Sequence, residues 1–306
     1  MLKGSSCALG MFDGVHLGHQ EVINSAINNA QKFNIPSVVL SFSTHPQVTT
    51  SNTPTPQLTL LEDRLARFEE LGVDIALILE FDKSFSMMSA EDYVEKLLCK
   101  GLHVQSISIG FDHRFGRGKR GNHFLLQEMG TRYRFTVCVI PPVSIDGQII
   151  SSSVIRKLLK YGDIKTANNL LGREFVIKGC VVEGAKRGRT LGFPTANIKP
   201  YGNILIPACG VYAVDVQIEN SSFATKYKAV LNVGYRPTFS DREIPTLETY
   251  IINFNQNVYQ QEISITFKDK IRDEKKFNTT EDLICQIKQD IETAYHLNPL
   301  DNKVFH

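Results

Sequence analysis

The chain has 306 residues, about two domains' worth at roughly 150 residues each. Apolar residues at 42% and charged residues at 22% exclude a chain disordered by composition. With 34 basic and 32 acidic residues the net charge is +2, which excludes wholesale binding to nucleic acid and makes any anion recognition local. No run approaches the roughly 20 apolar residues needed to span a bilayer, so no membrane partner is expected. The first residues hold no apolar secretion core. Six cysteines without a CxxC pair point away from zinc and towards buried reduced thiols in a cytoplasm-like compartment.

Residues 6–9 read as a short apolar strand running into a glycine-rich turn. Residues 20–33 carry Val22, Ile23, Ala26, Ile27 and Ala30 at helical period. Strand patterns follow at 38–42, 75–79, 106–109 and 136–140, and helical ones at 62–71, 90–100, 152–161 and 164–171. Such alternation predicts a parallel sheet with helices on both faces. Past residue 172 the pattern changes to short β-rich runs at 175–182, 210–216, 227–233, 248–253 and 262–267, broken by Gly, Pro and Asn. They predict a small antiparallel barrel or sandwich. Helical period returns over 280–294. The expected domains are 1–172 and 173–306.

Directly after the first strand stands Gly10-Met11-Phe12-Asp13-Gly14-Val15-His16-Leu17-Gly18-His19. At a strand–turn–helix junction, free N–H groups and the helix dipole favour phosphate. Gly14 and Gly18 permit close backbone approach, and His16 and His19, three apart, can donate to the same phosphate oxygens. Two exposed histidines at a helix start are the plainer alternative; a metal site lacks an adjacent third ligand. Ile150-Ser151-Ser152-Ser153-Val154-Ile155-Arg156 reads as a capped helix whose Arg156 can clamp phosphate. Residues 110–122 form a basic glycine-rich loop after a strand, fitting a cover over a phosphorylated ligand better than an RNA-binding segment. Residues 184–197 form a second such loop, whose N–H groups and three cations suit a polyphosphate. Thr195 and Asn197 offer hard oxygen donors suited to Mg2+ shared with nucleotide phosphates. A turn with a solvated charge run is the alternative there.

The first motif resembles the HxGH signature of the nucleotidylyltransferases, and the serine–arginine segment resembles their second signature. Taken with 184–197, with Asn232-Val-Gly-Tyr-Arg-Pro-Thr-Phe239, with Glu248-Thr-Tyr-Ile-Ile-Asn-Phe254 and with Ile271-Arg-Asp-Glu-Lys-Lys-Phe277, nearly the whole chain resembles the bacterial bifunctional riboflavin kinase/FAD synthetases. The resemblance implies an α/β plus β architecture: a Rossmann-like nucleotidylyltransferase domain, then a small antiparallel β-barrel riboflavin kinase domain with a C-terminal helix. It implies that ATP phosphorylates riboflavin to FMN in the second domain. A second ATP adenylylates FMN to FAD in the first, releasing pyrophosphate, with Mg2+ as cofactor and no nucleic-acid partner.

By the same resemblance, His16, His19 and Arg156 stabilise the adenylyl-transfer transition state and Glu248 is the kinase base. Gly10, Phe12, Asp13, Gly18, Asp112, Ser151, Ser152 and Ser153 would line the first ATP site. Gly184, Lys186, Gly188, Arg189, Gly192, Phe193, Pro194, Thr195 and Asn197 would line the second, with Thr195 and Asn197 holding Mg2+. Phe115, Arg272 and Glu274 would lie near flavin. Alternation places Glu248 and Tyr250 on one face, expected to be the inner face of the barrel at a pocket mouth; an edge-strand glutamate facing solvent is the alternative. Several positions depart from the family: Met11, His113 and Asn122 replace frequent Asn, Phe and Asp, while Tyr250, Asn253 and Gln260 replace frequent His, Asp and Gly. They keep two other readings open, a monofunctional adenylyltransferase with a flavin-binding barrel and a non-catalytic flavin-binding regulator.

Overall fold

A computed structural model describes residues 3–43, 55–184, 188, 191–219, 225–235 and 245–297. By its contacts the chain forms two compact units, Met1–Val154 and Ile155–His306.

The first unit runs β1 (Ser5–Leu9), α1 (Leu17–Phe33), β2 (Ser37–Phe42), α2 (Leu61–Glu70), β3 (Ile75–Leu79), α3 (Lys83–Ser86) and α4 (Ala90–Asp92). The last continues as a π-helix, Tyr93–Gly101, before β4 (Val104–Gly110), α5 (His123–Tyr133), β5 (Thr136–Ile140) and a small hairpin, β6 (Ser144–Ile145) and β7 (Gln148–Ile149). The five long strands form one parallel sheet in the order β3-β2-β1-β4-β5. Alternate residues of β1 feed opposite faces, as the pleat requires. Cys7 and Leu9 pack with Tyr93, Val94, Leu98, Leu126 and Met129 from the π-helix and α5. Ala8 packs with Val22, Ile23 and Ala26 of α1 and Phe68 of α2. The expected sheet covered on both faces is therefore present.

That strand order fixes where a ligand can bind. The chain leaves β1 in one direction to build β2 and β3, and β4 lies on the other side. In such sheets the crevice opens at the carboxyl ends of the two strands where the order reverses. Here those ends lead into residues 10–19 and residues 110–122, the two glycine-rich segments of this half.

The helix α6 (Ser152–Tyr161) crosses the division between units. It is followed by α7 (Ile164–Leu171), β8 (Phe175–Val182), β9 (Ala196–Pro200), β10 (Gly210–Ile218), β11 (Lys226–Tyr235), β12 (Pro245–Ile251), β13 (Glu262–Arg272) and α8 (Thr280–Leu297). The six strands close an antiparallel barrel in the order β10-β11-β12-β9-β8-β13, and β10 pairs with β13 to complete it. Its interior is filled by side chains, with Phe267 in ring contact with both Phe175 and Tyr212. Outside, α8 lays Ile291 and Ala294 over Val211, Ala213 and Val230. Asp290 of that helix, buried, takes a bidentate pair from Arg272 of β13 at 2.8–3.1 Å.

The contact division falls earlier than the 172/173 boundary read from the sequence. The helix α7 packs against β8 and β13. Its Asn168 accepts from the Phe175 N–H at 2.8 Å and donates to the Phe267 carbonyl at 3.0 Å.

Candidate active sites

In the first unit, His16 is the N-cap of α1, and its Nδ1 accepts the His19 backbone N–H at 3.2 Å. Because Nδ1 is the acceptor, the neutral ring carries its proton on Nε2, which is then a donor. The two imidazoles stack at 3.5 Å between centroids, and Phe12 meets His19 edge-on at 5.3 Å. A Cβ on Gly18 would lie 3.4 Å from the His16 ring, in van der Waals contact with it.

The loop that carries the histidines is strained. Phe12 and Val15 sit at φ 52° and 41°, left-handed values that a bulky or β-branched residue resists. Such strain persists only where the surroundings over-determine the backbone. Here the surroundings do so. The Asp13 carboxylate accepts the N–H groups of Leu58 and Thr59 at 2.9–3.1 Å. Ser152 Oγ donates to the Asp13 carbonyl at 2.9 Å, which draws the serine segment onto the loop. Gln20 Nε2 donates to the Val15 carbonyl at 3.0 Å. Beneath lies Arg64 of α2, a residue the sequence reading did not single out. It is 1% exposed and donates to the Met11 carbonyl at 2.8 Å and the Phe42 carbonyl at 2.6 Å. Burial pushes its pKa down, and nearby Asp13 opposes that shift.

Thus His16, His19, Phe12, Asp13, Gly18 and Ser152 are brought together. Ser151 caps α6 by accepting the Val154 N–H at 3.3 Å; Arg156 follows Ser152 by one turn of the same helix, and Ser153 is exposed. Gly10 lies against the Phe12 ring, which a Cβ there would approach to 2.9 Å.

At the neighbouring strand end, Asp112 is exposed and Phe115 is buried. Phe115 joins an aromatic chain that sequence reasoning did not find. Ring contacts of 5.2–6.1 Å run from Phe42 through Phe85 and Tyr93 to Phe115, and Phe115 meets His113 at 5.8 Å. Tyr93 opens the π-helix, a geometry that recurs at functional sites. Asn122 caps α5 by accepting the Leu125 N–H at 3.0 Å. Asn and Asp cap helices equally well, so Asn122 serves this purpose as an aspartate would.

In the second unit, β12 divides two cavities. Glu248 and Tyr250 line one of about 320 Å3, together with Thr195, Arg272, Glu274 and α8 residues such as Ile287. Thr249 and Ile251 line another of about 510 Å3, with Pro194 and Thr195. Thr195 belongs to both. A six-stranded barrel filled by its own side chains cannot enclose a helix, so the face of β12 that shares a cavity with α8 is the outer one. This corrects the expectation that Glu248 lies on the inner face. The shared face of Glu248 and Tyr250 is as expected, but the buried Leu247, Thr249 and Ile251 point inward. Nor is β12 an edge strand, since it pairs with β11 and β9.

Asn197 stands directly opposite Glu248 across β9, and Asn232 stands opposite it across β11. Gly184 makes room for the Asn197 amide, which a Cβ there would meet at 2.0 Å. The loop before β9 turns back on itself through the Gly188 carbonyl, which accepts from Leu191 and Phe193. Gly188 and Phe193 line the Glu248 cavity, and Phe193 meets the Tyr250 ring at 5.6 Å. Gly192, at φ 86°, supplies the turn. Lys186 and Arg189 lie outside the described residues, as do residues 236–239 of the Asn232 segment. Arg272 has its guanidinium committed to Asp290 and to the Asp273 carbonyl. The buried Thr249 hydroxyl has no hydrogen-bond partner among the described residues.

Thr195 and Asn197 are neutral oxygen donors, which fits a small hard cation that keeps its waters and shares phosphate oxygens. Among the described residues no group of three or more His, Cys, Asp or Glu could hold a metal by itself.

The FAD synthetase family model matches residues 1–154, and the riboflavin kinase model matches residues 171–298. A bifunctional riboflavin kinase/FMN adenylyltransferase of Haemophilus influenzae is 38% identical over 96% of this chain and 94% of its own. One of Bacillus subtilis is 37% identical over 95% and 91%. A solved structure from Streptococcus pneumoniae, named a macrolide-efflux protein, superposes with a TM-score of 0.87 at 32% identity, covering 96% of this chain and 95% of that one. In this chain no helix of the described residues is long and apolar enough to cross a membrane. With two family models matched in order and curated relatives aligned almost end to end, the chain belongs to the bifunctional riboflavin kinase/FMN adenylyltransferase family.

Proposed function

We infer that this chain is a transferase with two activities: it phosphorylates riboflavin to FMN with ATP, and adenylylates FMN to FAD with release of pyrophosphate. What carries the reading is the match of both family models, one to each half of a single chain. Two structurally separate sites support it.

In the kinase unit, Glu248 accepts the proton of the riboflavin ribityl hydroxyl as its oxygen bonds to the γ-phosphorus and ADP leaves. The smaller cavity, walled by α8, takes flavin, with Glu274 and Arg272 beside it. The larger cavity takes ATP, so that its terminal phosphate meets the hydroxyl at Thr195, the wall common to both. ATP is used with a divalent metal, which we assign as Mg2+ held by Thr195 and Asn197; it neutralises phosphate charge when bound. Arg272, already paired with Asp290, shapes the flavin wall rather than reaching for substrate charge.

In the adenylyltransferase unit, an FMN phosphate oxygen attacks the α-phosphorus of ATP, the new P–O bond forms, and pyrophosphate departs. The His16 Nε2–H, His19 and Arg156 donate to oxygens whose charge grows in the transition state, and no covalent enzyme intermediate is needed. Phe12, Gly10, Gly18 and Ser151–Ser153 surround ATP, while Asp13 and Ser152 hold the loop. Phe115 would lie near the flavin; it and Tyr93 are buried and back the 110–122 loop from within the core, with Asp112 at the exposed side. A cytoplasmic location agrees with cysteines that are scattered along the chain without a CxxC pair.

The test is incubation of the full chain with riboflavin, ATP and Mg2+, separating riboflavin, FMN and FAD by chromatography. FAD formed from riboflavin supports both activities. FAD formed only from supplied FMN would leave a monofunctional adenylyltransferase, and flavin binding without turnover would leave a regulator. Replacing His19 by Ala should stop FAD formation and leave riboflavin phosphorylation intact.

A further inference from the structure

The helix α2 has two buried positions, Arg64 and Phe68, one turn apart. An amphipathic helix would ordinarily place leucine at the first, and a buried guanidinium is expensive unless its donors are matched. Arg64 lies beneath the strained turn after β1. One terminal nitrogen donates to the Met11 carbonyl, and the other donates to the Phe42 carbonyl at the end of β2. A single side chain thus ties together the exits of two neighbouring parallel strands. Ser41 Oγ, also buried, donates to the same Met11 carbonyl at 2.9 Å.

The peptide between Met11 and Phe12 is trans, since no cis bond occurs among the described residues. In a planar trans peptide the C=O and the following N–H point in opposite directions. Holding the Met11 carbonyl down onto Arg64 and Ser41 therefore turns the Phe12 N–H away from the buried guanidinium. It becomes available to an anion in the glycine-rich turn. Phe12 stays at φ 52° because its preceding peptide is pinned in this way.

We propose that Arg64 is a positioning residue for adenylyl transfer, which orients the Met11–Phe12 peptide so that the Phe12 N–H donates to the ATP phosphates. The proposal rests on the assignment of residues 10–19 as the adenylyl-transfer site. Arg64 itself touches no substrate, and acts through the backbone it holds.

The full-length chain is assayed for FAD formation from supplied FMN over a range of ATP concentrations, with riboflavin phosphorylation measured on the same preparation. Arg64→Met should lower kcat by about 10²-fold, the effect expected when a reacting centre is displaced by roughly an ångström. Arg64→Lys restores one donor to the Met11 carbonyl and should recover about a tenth of the parental kcat, and the kinase rate should not change in either. A folded Arg64→Met chain that makes FAD at the parental rate overturns the proposal, as does Arg64→Lys performing no better than Arg64→Met. If Arg64→Met does not fold, Ser41→Ala carries the test. It removes the other donor to that carbonyl and should lower kcat about fivefold, the effect of one neutral hydrogen bond; an unaltered kcat overturns the proposal. His19→Ala runs alongside. If it still forms FAD, the site assignment itself falls and takes the proposal with it; if it does not while the Arg64 variants are normal, only the proposal falls.

Discussion

Glu248 and Asn197 face each other across the β9–β12 ladder, close enough in such a pair for their side chains to meet. Asn232 stands on the other flank. Two amides can fix the orientation of a carboxylate without supplying a counter-charge, which is what a general base requires. Gly184 is the glycine that lets Asn197 occupy that position.

Glu248→Gln keeps the shape and cannot take up a proton. Riboflavin phosphorylation should fall by about 10²–10⁴, the usual contribution of a positioned base. Adenylylation of supplied FMN should continue at its normal rate, because Glu248 belongs to the other unit. Single-turnover measurement of the phosphoryl-transfer step checks this; an unchanged rate removes Glu248 from the mechanism.

His113 gives the first unit a distinctive acid sensitivity. Burial, with a smaller push from Arg114, lowers its pKa from 6.5 to about 4. Its Nε2 is buried with no partner among the described residues. The unfolded chain therefore takes up this proton before the folded one does. The stability contributed by the neutral ring is complete above pH 6.5 and is lost as the pH falls towards 4. His113→Phe keeps a ring against Phe115 and removes the titration. The drop in melting temperature between pH 7 and pH 5 should be smaller in the variant, and an equal drop would exclude His113 as its source.

Two fragments decide where the second domain begins. One starting at Ile155 retains α7, with Ile164, Ala167, Leu170 and Leu171 buried and Asn168 bonded to β8 and β13. One starting at Arg173 leaves the Phe175 N–H and the Phe267 carbonyl without those partners. The longer fragment should be the more stable by at least about 3 kcal/mol, given what burying even two large apolar side chains contributes. Denaturant titration of both measures the difference, and equal midpoints would favour the later boundary.

Gln260 adopts φ 64° and is exposed. A left-handed residue with a Cβ costs about 1–2 kcal/mol, offset in part by the greater freedom of glycine in the unfolded chain. Gln260→Gly should therefore stabilise the barrel by up to about 1 kcal/mol with kinase activity retained, read from chemical denaturation. Asn253, at φ 57°, should gain less from the same change, because asparagine tolerates this region.

Much of this was legible in the sequence. The sheet strands, α6, α7 and β8 stand where periodicity places them; β1, β2, β4, α6, α7 and β8 carry buried residues, while the edge strands β3 and β5 are only part-buried and were legible from their apolar runs. The strand β9 was not separated from the loop before it, since Ile198 is its one fully buried residue. The helix α5 escaped notice because its cap, Asn122, closes a basic loop that draws attention to its charges. Arg64 was invisible for a related reason: an arginine among Glu62, Asp63 and Arg67 reads as a solvated face, and only the tertiary fold buries it. The face of Glu248 failed differently. Alternation tells which residues share a side, but only the closure of the barrel and the position of α8 decide which side is outside.

The partition made by β12 also limits how this half of the molecule can vary. Its even-numbered residues serve one chamber and its odd-numbered residues the other, from Glu248 through Ile251. A side-chain period of two means that inserting or deleting a single residue ahead of Glu248 would exchange the two walls together. The carboxylate would turn inward while Thr249 and Ile251 turned out towards α8. Point substitutions can tune either chamber alone, but a change of length in this strand disables both in one step.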